Sequence, residues 1–477
     1  MRTIILRELL HNLFNLRFIV GILLCVILTV TCVVILTHQY RQEMDDYSLR
    51  ISLQDDFLNN YAHTNRMSGM ITPQKPPEKF HPLITGIPRD AELGSFDDNP
   101  LPVLFPHIDF LFIVTIIMSL LALLFSYDSV TGERERGTLK LLLSNSFSRA
   151  NTLLGKWIGG MLSLLIPFLI SLLVGVLYVN IHPHIQWDST NWLAFFLLIL
   201  ASVTFISLFF LLGLFVSTMS RFSSVSILSA LFLWVLFILV IPNISPYIAA
   251  QVYRIPSVTR AEREVERLTS IERDNLGREL SAEVTRKYEE EYGQRFSEFQ
   301  RMNDDEIRQR AAVDPDFKAL YEAYRQETGQ AWNEANRIQR EKASKIRDEL
   351  AVKSLRQTAI AKNLACISPY ANFVYVATDL TGTGIRSLEY FNRVAAGEYM
   401  NAYNEYQAEK VREAHEKDPT FDSNSFLDIS DRPRFSFTEE PLTGRLQAVF
   451  PYWGVLFFFN VLFFAGAFVK FLRYDVR

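Results

Sequence analysis

The sequence predicts an all-α membrane protein with six transmembrane helices, an N-terminal elbow helix and a large helical extracytoplasmic domain. Three observations carry this prediction. Apolar residues make up 49% of the 477 positions although 21% are charged. The two kinds are segregated into blocks, which is the pattern of an integral membrane protein with a sizeable soluble part. Six of the apolar blocks are long enough to cross a bilayer, at about 20 residues each. Between the fifth and sixth lies a polar block of helical period, residues 248–446.

The elements follow in order. Residues 1–16 carry Ile5, Leu9, Leu13 and Leu16 at helical spacing, with Glu8, His11, Asn12 and Asn15 on the other face and Arg2, Arg7 and Arg17 adding charge. Such a helix suits the membrane interface. Residues 18–36 form the first span; its length and the lack of a small-x-small site after it argue against a cleaved signal peptide. Residues 37–106 are polar. Their first part extends the first helix outward. Their second part holds Pro73, Pro76, Pro77, Pro82, Pro88, Pro100, Pro102 and Pro106 and reads as extended and irregular. The block 107–247 holds spans two to five: 107–126, 157–179 with Pro167 as a kink, 192–216 and 225–241, whose end Pro242 and Pro246 loosen. The last block, 447–477, is the sixth span and a basic tail.

Lys and Arg set the orientation. With the N-terminus in the cytoplasm, Arg2, Arg7, Arg17, Arg134, Arg136, Lys140, Arg149, Lys156, Arg221, Lys470, Arg473 and Arg477 all gather inside. The short outer loop 180–191 has no Lys or Arg. Six spans return the C-terminus to the cytoplasm, so the polar blocks 37–106 and 248–446 are expected outside.

In the outer block the period predicts two long helices. One covers 257–312, with an aromatic stripe of Tyr288, Tyr292, Phe296 and Phe299 packed inside; the other covers 317–364. Val313-Asp314-Pro315-Asp316 breaks between them, which predicts an antiparallel hairpin. A third helix is expected over 384–417. Ile244-Ser245-Pro246-Tyr247 recurs as Ile367-Ser368-Pro369-Tyr370. The second copy opens an apolar run too short to span. The repeat is either a coincidence or marks an interfacial or re-entrant piece starting at Pro369 and Tyr370.

The stretch with the most functional content is 125–157, FSYDSVTGERERGTLKLLLSNSFSRANTLLGKW, inside the cytoplasmic loop 127–156. Glu133, Arg134, Glu135 and Arg136 form a mixed charge cluster. Gly137 is a breaker and Thr138 a candidate N-cap for a very short apolar helix carrying Leu139, Leu142 and Leu143; Ser148 is placed to cap the next helix. The residues alone allow an ordinary cytoplasmic loop or a rigid element that takes force from a soluble partner.

At these residues the sequence resembles the first cytoplasmic loop of type-2 ABC exporter permeases. The match is the order acidic cluster, Gly-Thr-Leu, Leu-Leu, Ser, Ser-Arg and Gly-Lys. The subgroup it resembles includes the nitrous-oxide-reductase maturation permease and the gliding-motility permease. The resemblance implies that 127–156 carries a coupling helix seated in a groove of a separate ATPase subunit. Glu133, Arg134, Glu135, Gly137, Thr138, Leu139, Leu142 and Leu143 would then be its coupling residues. It also implies an elbow helix before the first span, short re-entrant helices between the fifth and sixth, and a two-fold dimer or a pair with a similar permease. ATP and Mg would be bound by the partner ATPase, in a bacterial inner (cytoplasmic) membrane.

The absences narrow the chemistry. No G-x-x-x-x-G-K-[ST] occurs, so the chain has no P-loop of its own. It is expected to be no enzyme and to hold no cofactor or metal. H-E-x-x-H and G-x-S-x-G are missing too. The three cysteines, Cys25, Cys32 and Cys366, give no disulfide framework, and His182 and His184 flank a proline in a loop, a pair that reads as solvated. A net charge of −4 argues against a nucleic-acid partner. The spans carry Asp109 at an outer end and little else that ionises, which counts against an ion-coupled transporter. Two functions remain open. One is the permease of an ATP-driven exporter. The other is a membrane subunit that passes ATP-driven motion to a periplasmic or lipoprotein partner through its outer domain, without moving a solute.

Overall fold

The computed structural model describes residues 2–60, 71–86, 108–139, 148–182, 185–299, 301–418, 421 and 426–473. Among the described residues every regular element is a helix. Six helices are long and apolar enough to cross a membrane: Phe18–Asn60, Phe110–Glu135, Arg149–Ile181, Ser189–Met219, Ser223–Val252 and Leu442–Leu472. The chain is a multi-pass membrane protein, and these are spans 1 to 6 below. It divides into two compact units, Met1–Pro242 with Ala365–Arg477, and Asn243–Leu364.

The larger unit is built around span 4. Its Phe205, Phe209 and Phe210 are fully buried, and spans 2, 5 and 6 pack on it. Span 3 packs on span 1 and on the elbow helix Arg2–Leu13. The elbow turns part of its polar side toward the protein. Its buried side is Ile4 and Asn12 with Glu8 between them. Leu6, Leu10 and Phe14 are exposed. That part is turned inward because it meets polar partners there: Asn12 Nδ2 donates to Ser163 Oγ at 3.3 Å, and Lys156 Nζ donates to Glu8 Oε1 at 2.9 Å.

Prolines act differently in the two spans that hold them. Pro167 sits buried inside span 3, which runs unbroken from Arg149 to Ile181. In span 5 the helix does not end at Ile241 as the sequence predicts, but continues to Val252 through a π-turn at Leu236–Val240. Pro242 has no N–H and crowds the carbonyl four residues back, and a π-turn just upstream relieves that clash. The Phe237 carbonyl within the turn accepts a hydrogen bond from the Ser368 hydroxyl.

Ser368 also opens the short helix Pro369–Thr381. Its Oγ accepts the Tyr370 N–H at 3.1 Å, with Pro369 at the first turn and Gly382 ending the helix. This helix packs against spans 4 and 6, and fully buried Phe373 stacks on Phe205 with ring centroids 4.7 Å apart. Chain downstream of it belongs to the same unit. Ile385–Asn392, the π-turn Arg393–Tyr399 and Met400–Lys417 form one helical run. It joins the far end of the first helix through a small core of Leu58, Ile71, Tyr403, Leu427 and Ile429. Arg432 ties this core to the first helix, donating to Asp55 at 2.6 Å and Asn59 at 3.1 Å.

The second unit is a helical hairpin. Its return arm Pro315–Ala365 is one helix of 51 residues, about 75 Å long. Asp314 starts it by accepting the N–H groups of Asp316 and Phe317, each at 3.1 Å. The outgoing arm is not the single helix that the period predicts. It breaks at Gly293, whose φ of +52° lies in the left-handed region, and again before Asn303, which starts Asp304–Val313 with a capping box to Glu306. The break turns one member of the aromatic stripe outward. Tyr288, Phe296 and Phe299 are buried with Ile307, whereas Tyr292 is exposed and stacks on Tyr288 at 5.6 Å.

Candidate functional site

The loop after span 2 is held from three directions. Ser126 ends the first part of that span, and a short helix Thr131–Glu135 follows. The start of a helix leaves N–H groups without intrahelical partners. Here Ser217, at the end of span 4, supplies the acceptor: its Oγ takes the N–H groups of Val130 and Thr131, each at 3.1 Å. The next serines continue the clamp. Arg134 Nη1 donates to the Ser220 carbonyl at 2.7 Å. Glu135 accepts from the Ser223 N–H and the Ser223 hydroxyl, both at 2.8 Å. The Ser226 hydroxyl donates to the Tyr127 carbonyl at 2.7 Å. Serines at 217, 220, 223 and 226 recur every third residue through the turn between spans 4 and 5.

The opposite side of the short helix is ionic. Glu133 is buried, and its Oε1 receives Arg7 Nη2 at 3.0 Å and Lys156 Nζ at 2.9 Å. Lys156 is 2% exposed and shares its ammonium with Glu8 at 2.9 Å. One cluster of two carboxylates and two cations therefore joins the elbow helix, the loop and span 3. Breaking a buried pair by removing one partner costs about 3–5 kcal/mol, because the remaining charge is stranded. The base of span 3 is further tied to span 6, where the Arg149 guanidinium donates to the Leu472 carbonyl.

Gly137 has φ +73°, a left-handed value that favours glycine, and turns the chain out of the short helix. The Thr138 hydroxyl donates back to the Glu133 carbonyl at 3.3 Å, and the body of the short helix that it was expected to cap lies outside the described residues. Leu139 is fully buried in the chain's own core. Leu142 and Leu143 lie outside the described residues. Ser148 caps span 3 as expected, accepting the Asn151 N–H at 3.2 Å. Pro369 and Tyr370 belong to the helix Pro369–Thr381 and are not brought to the loop. Among the described residues no group of three His, Cys, Asp or Glu is placed to hold a metal ion.

Sequence reasoning singled out Glu133, Arg134 and Glu135 but not their partners. The serine triplet spacing was a readable signal for the clamp. Lys156 and Glu8 were readable only as charges at the ends of apolar stretches. The contacts of Thr131–Glu135 join the loop to the elbow helix, span 3 and the turn between spans 4 and 5.

Two of the known proteins to which the chain is similar are named Probable ABC transporter permease protein NosY, from Stutzerimonas stutzeri and from Pseudomonas aeruginosa. Each is 47% identical over 58 residues, which is 12% of this chain and 21% of the relative. The chain thus spans about a fifth of the length of these curated relatives. A family model described as ABC-2 family transporter protein matches residues 2–392, taking in the elbow helix, the clamped loop and spans 1 to 5. The chain belongs to the ABC-2 family of transporter proteins.

Proposed function

We propose that this permease couples ATP hydrolysis by a separate ATPase subunit to export across a bacterial inner membrane, and that 127–156 is the coupling loop. The observation that carries the reading is the three-way clamp on Thr131–Glu135. A loop held by Ser217, Ser223, Lys156 and Arg7 is rigid enough to transmit displacement into four membrane elements at once. Leu142 and Leu143 form the anchor for the ATPase groove, since Leu139 is used internally. The N- and C-termini are cytoplasmic, and one chain pairs with a second copy or a similar permease about a two-fold axis.

The test is affinity purification of the full-length chain from its native membranes. A P-loop ATPase is expected in a one-to-one ratio of chains, and Leu142→Asp is expected to lose it. A chain that purifies as an active assembly with no ATPase would overturn the reading.

A second reading is supported by the hairpin Asn243–Leu364. Its long return helix is far larger than a connection between two spans needs. In this reading the subunit transmits motion to a periplasmic partner and no solute crosses. Reconstituted vesicles separate the two. ATP-dependent movement of an amphiphile supports export, and hydrolysis stimulated only by an added envelope protein supports transmission.

A further inference from the structure

The segment between Arg432 and Glu440 leads from the small outer core to span 6. Its two ends are pinned along one helical run. The Tyr399 hydroxyl donates to the Pro433 carbonyl at 3.0 Å, and Arg386 Nε donates to Glu440 at 2.9 Å. The thirteen helical steps from 386 to 399 cover roughly 20 Å. The seven steps from 433 to 440 run over that distance in the opposite direction at about 2.9 Å each, close to the roughly 3.3 Å rise of a strand. The segment is therefore stretched out like a β-strand. Burial alternates accordingly: Arg434, Ser436 and Thr438 are exposed, while Phe435 and Phe437 are half-buried. Phe435 meets Tyr399 at 5.0 Å and Phe437 meets Phe391 at 5.3 Å.

Among the described residues this extended segment has no neighbouring strand. Among the described residues, the backbone N–H and carbonyl groups of Arg434 to Thr438 make no hydrogen bond within the chain. An unpaired, extended edge is a template for another strand. At its start lies a cavity of about 140 Å3 with a mixed lining: Leu58, Tyr399 and Phe435 give it apolar walls, and Gln54, Asp55 and Arg434 give it polar ones. On the rim, Arg434 is exposed and has no ion pair among the described residues, whereas Arg432 beside it is already neutralised by Asp55.

We propose that residues 434–438 dock an extended peptide segment of an extracytoplasmic protein by strand addition. An apolar side chain of the peptide fills the cavity, and a carboxylate next to it faces Arg434. Main-chain hydrogen bonds supply the affinity, and the pocket with the rim cation supplies the selectivity. This rests on the proposed cytoplasmic termini, which with six spans put residues 248–446 outside the cytoplasm, but not on whether a solute is exported.

The experiment uses the full-length protein in nanodiscs and a short fluorescein-labelled peptide of alternating valine and threonine with a central Leu-Glu pair. Fluorescence anisotropy is expected to show saturable binding. Methylating the peptide's central backbone nitrogens should weaken it about tenfold, since two hydrogen bonds are lost while the protein is unchanged. Arg434→Ala should weaken the Leu-Glu peptide several-fold and leave a Leu-Gln peptide unaffected. Ser436→Pro should weaken both. Absence of saturable binding, or binding indifferent to backbone methylation, overturns the proposal. ATPase retention measured on the same preparation reports separately on the coupling loop, so either can fail alone.

Discussion

Lys156→Met tests the ionic side of the clamp. The replacement keeps an unbranched side chain of similar length and removes the ammonium. Glu133 and Glu8 then lose bonds of 2.9 Å each. Glu133 is left with Arg7, whose side chain is 60% exposed and solvent-screened. An exposed cation of that kind contributes only about 0.2–1 kcal/mol. Stranding a buried carboxylate costs about 3–5 kcal/mol, so the net loss should be about 3 kcal/mol. Removing both charges, as in Glu133→Gln with Lys156→Met, should recover about 1–3 kcal/mol, because the side chains are in contact and their effects are not additive. The assay is thermal unfolding in detergent by intrinsic fluorescence, read as a double-mutant cycle. Limited trypsin digestion runs beside it. Cleavage after Arg136 should accelerate in Lys156→Met, since the short helix loses one of its three supports. A single mutant as stable as the parent, with a double mutant no better than the sum of the singles, would refute the argument that Lys156 holds the loop.

Three further outcomes follow from the same geometry. Ser217→Ala leaves the buried N–H groups of Val130 and Thr131 without an acceptor; a destabilisation of about 1–3 kcal/mol is expected in denaturant titration, with no loss of membrane insertion. Leu142→Asp should cost several kcal/mol of ATPase binding if that side chain enters an apolar groove, while Tyr292→Asp should leave co-purification unchanged and cost about 0.5–1.5 kcal/mol of stability through the lost stacking on Tyr288. Asp188, which caps span 4, is held below the usual carboxylate range by the Asn191 N–H and, to a lesser extent, by Lys79. Its contribution is therefore present above the ordinary Asp value of about 3.9 and is lost as the pH falls through the depressed folded value. The melting-point gap between the parent and Asp188→Asn should be open at neutral pH and close in acid; a gap that widens in acid would reverse the assignment.

The sequence by itself determined what local chemistry dictates. Each span is legible because crossing a bilayer needs a continuous apolar run, and that run is its own signal. Ser148 and Gly137 are legible for the same reason, since a cap or a left-handed turn acts on its immediate neighbours. The long return helix was readable from its period and from the Asp314-Pro315 start. The tertiary structure decided everything that depends on partners far along the chain. The cations around Glu133 come from Arg7, 126 residues away, and from span 3, and nothing in the spacing of Glu133 specifies them. Ser217 becomes a helix cap only because span 4 ends beside the loop. Leu139 reads as part of an apolar anchor for a partner, and only the packing shows it buried in the chain's own core. Glu8 and Asn12 of the elbow helix turn inward because Lys156 and Ser163 lie there, which periodicity cannot predict since it marks two faces without saying which one meets protein. Periodicity also assumes an unbroken helix, so one glycine at positive φ was enough to put Tyr292 on the outside.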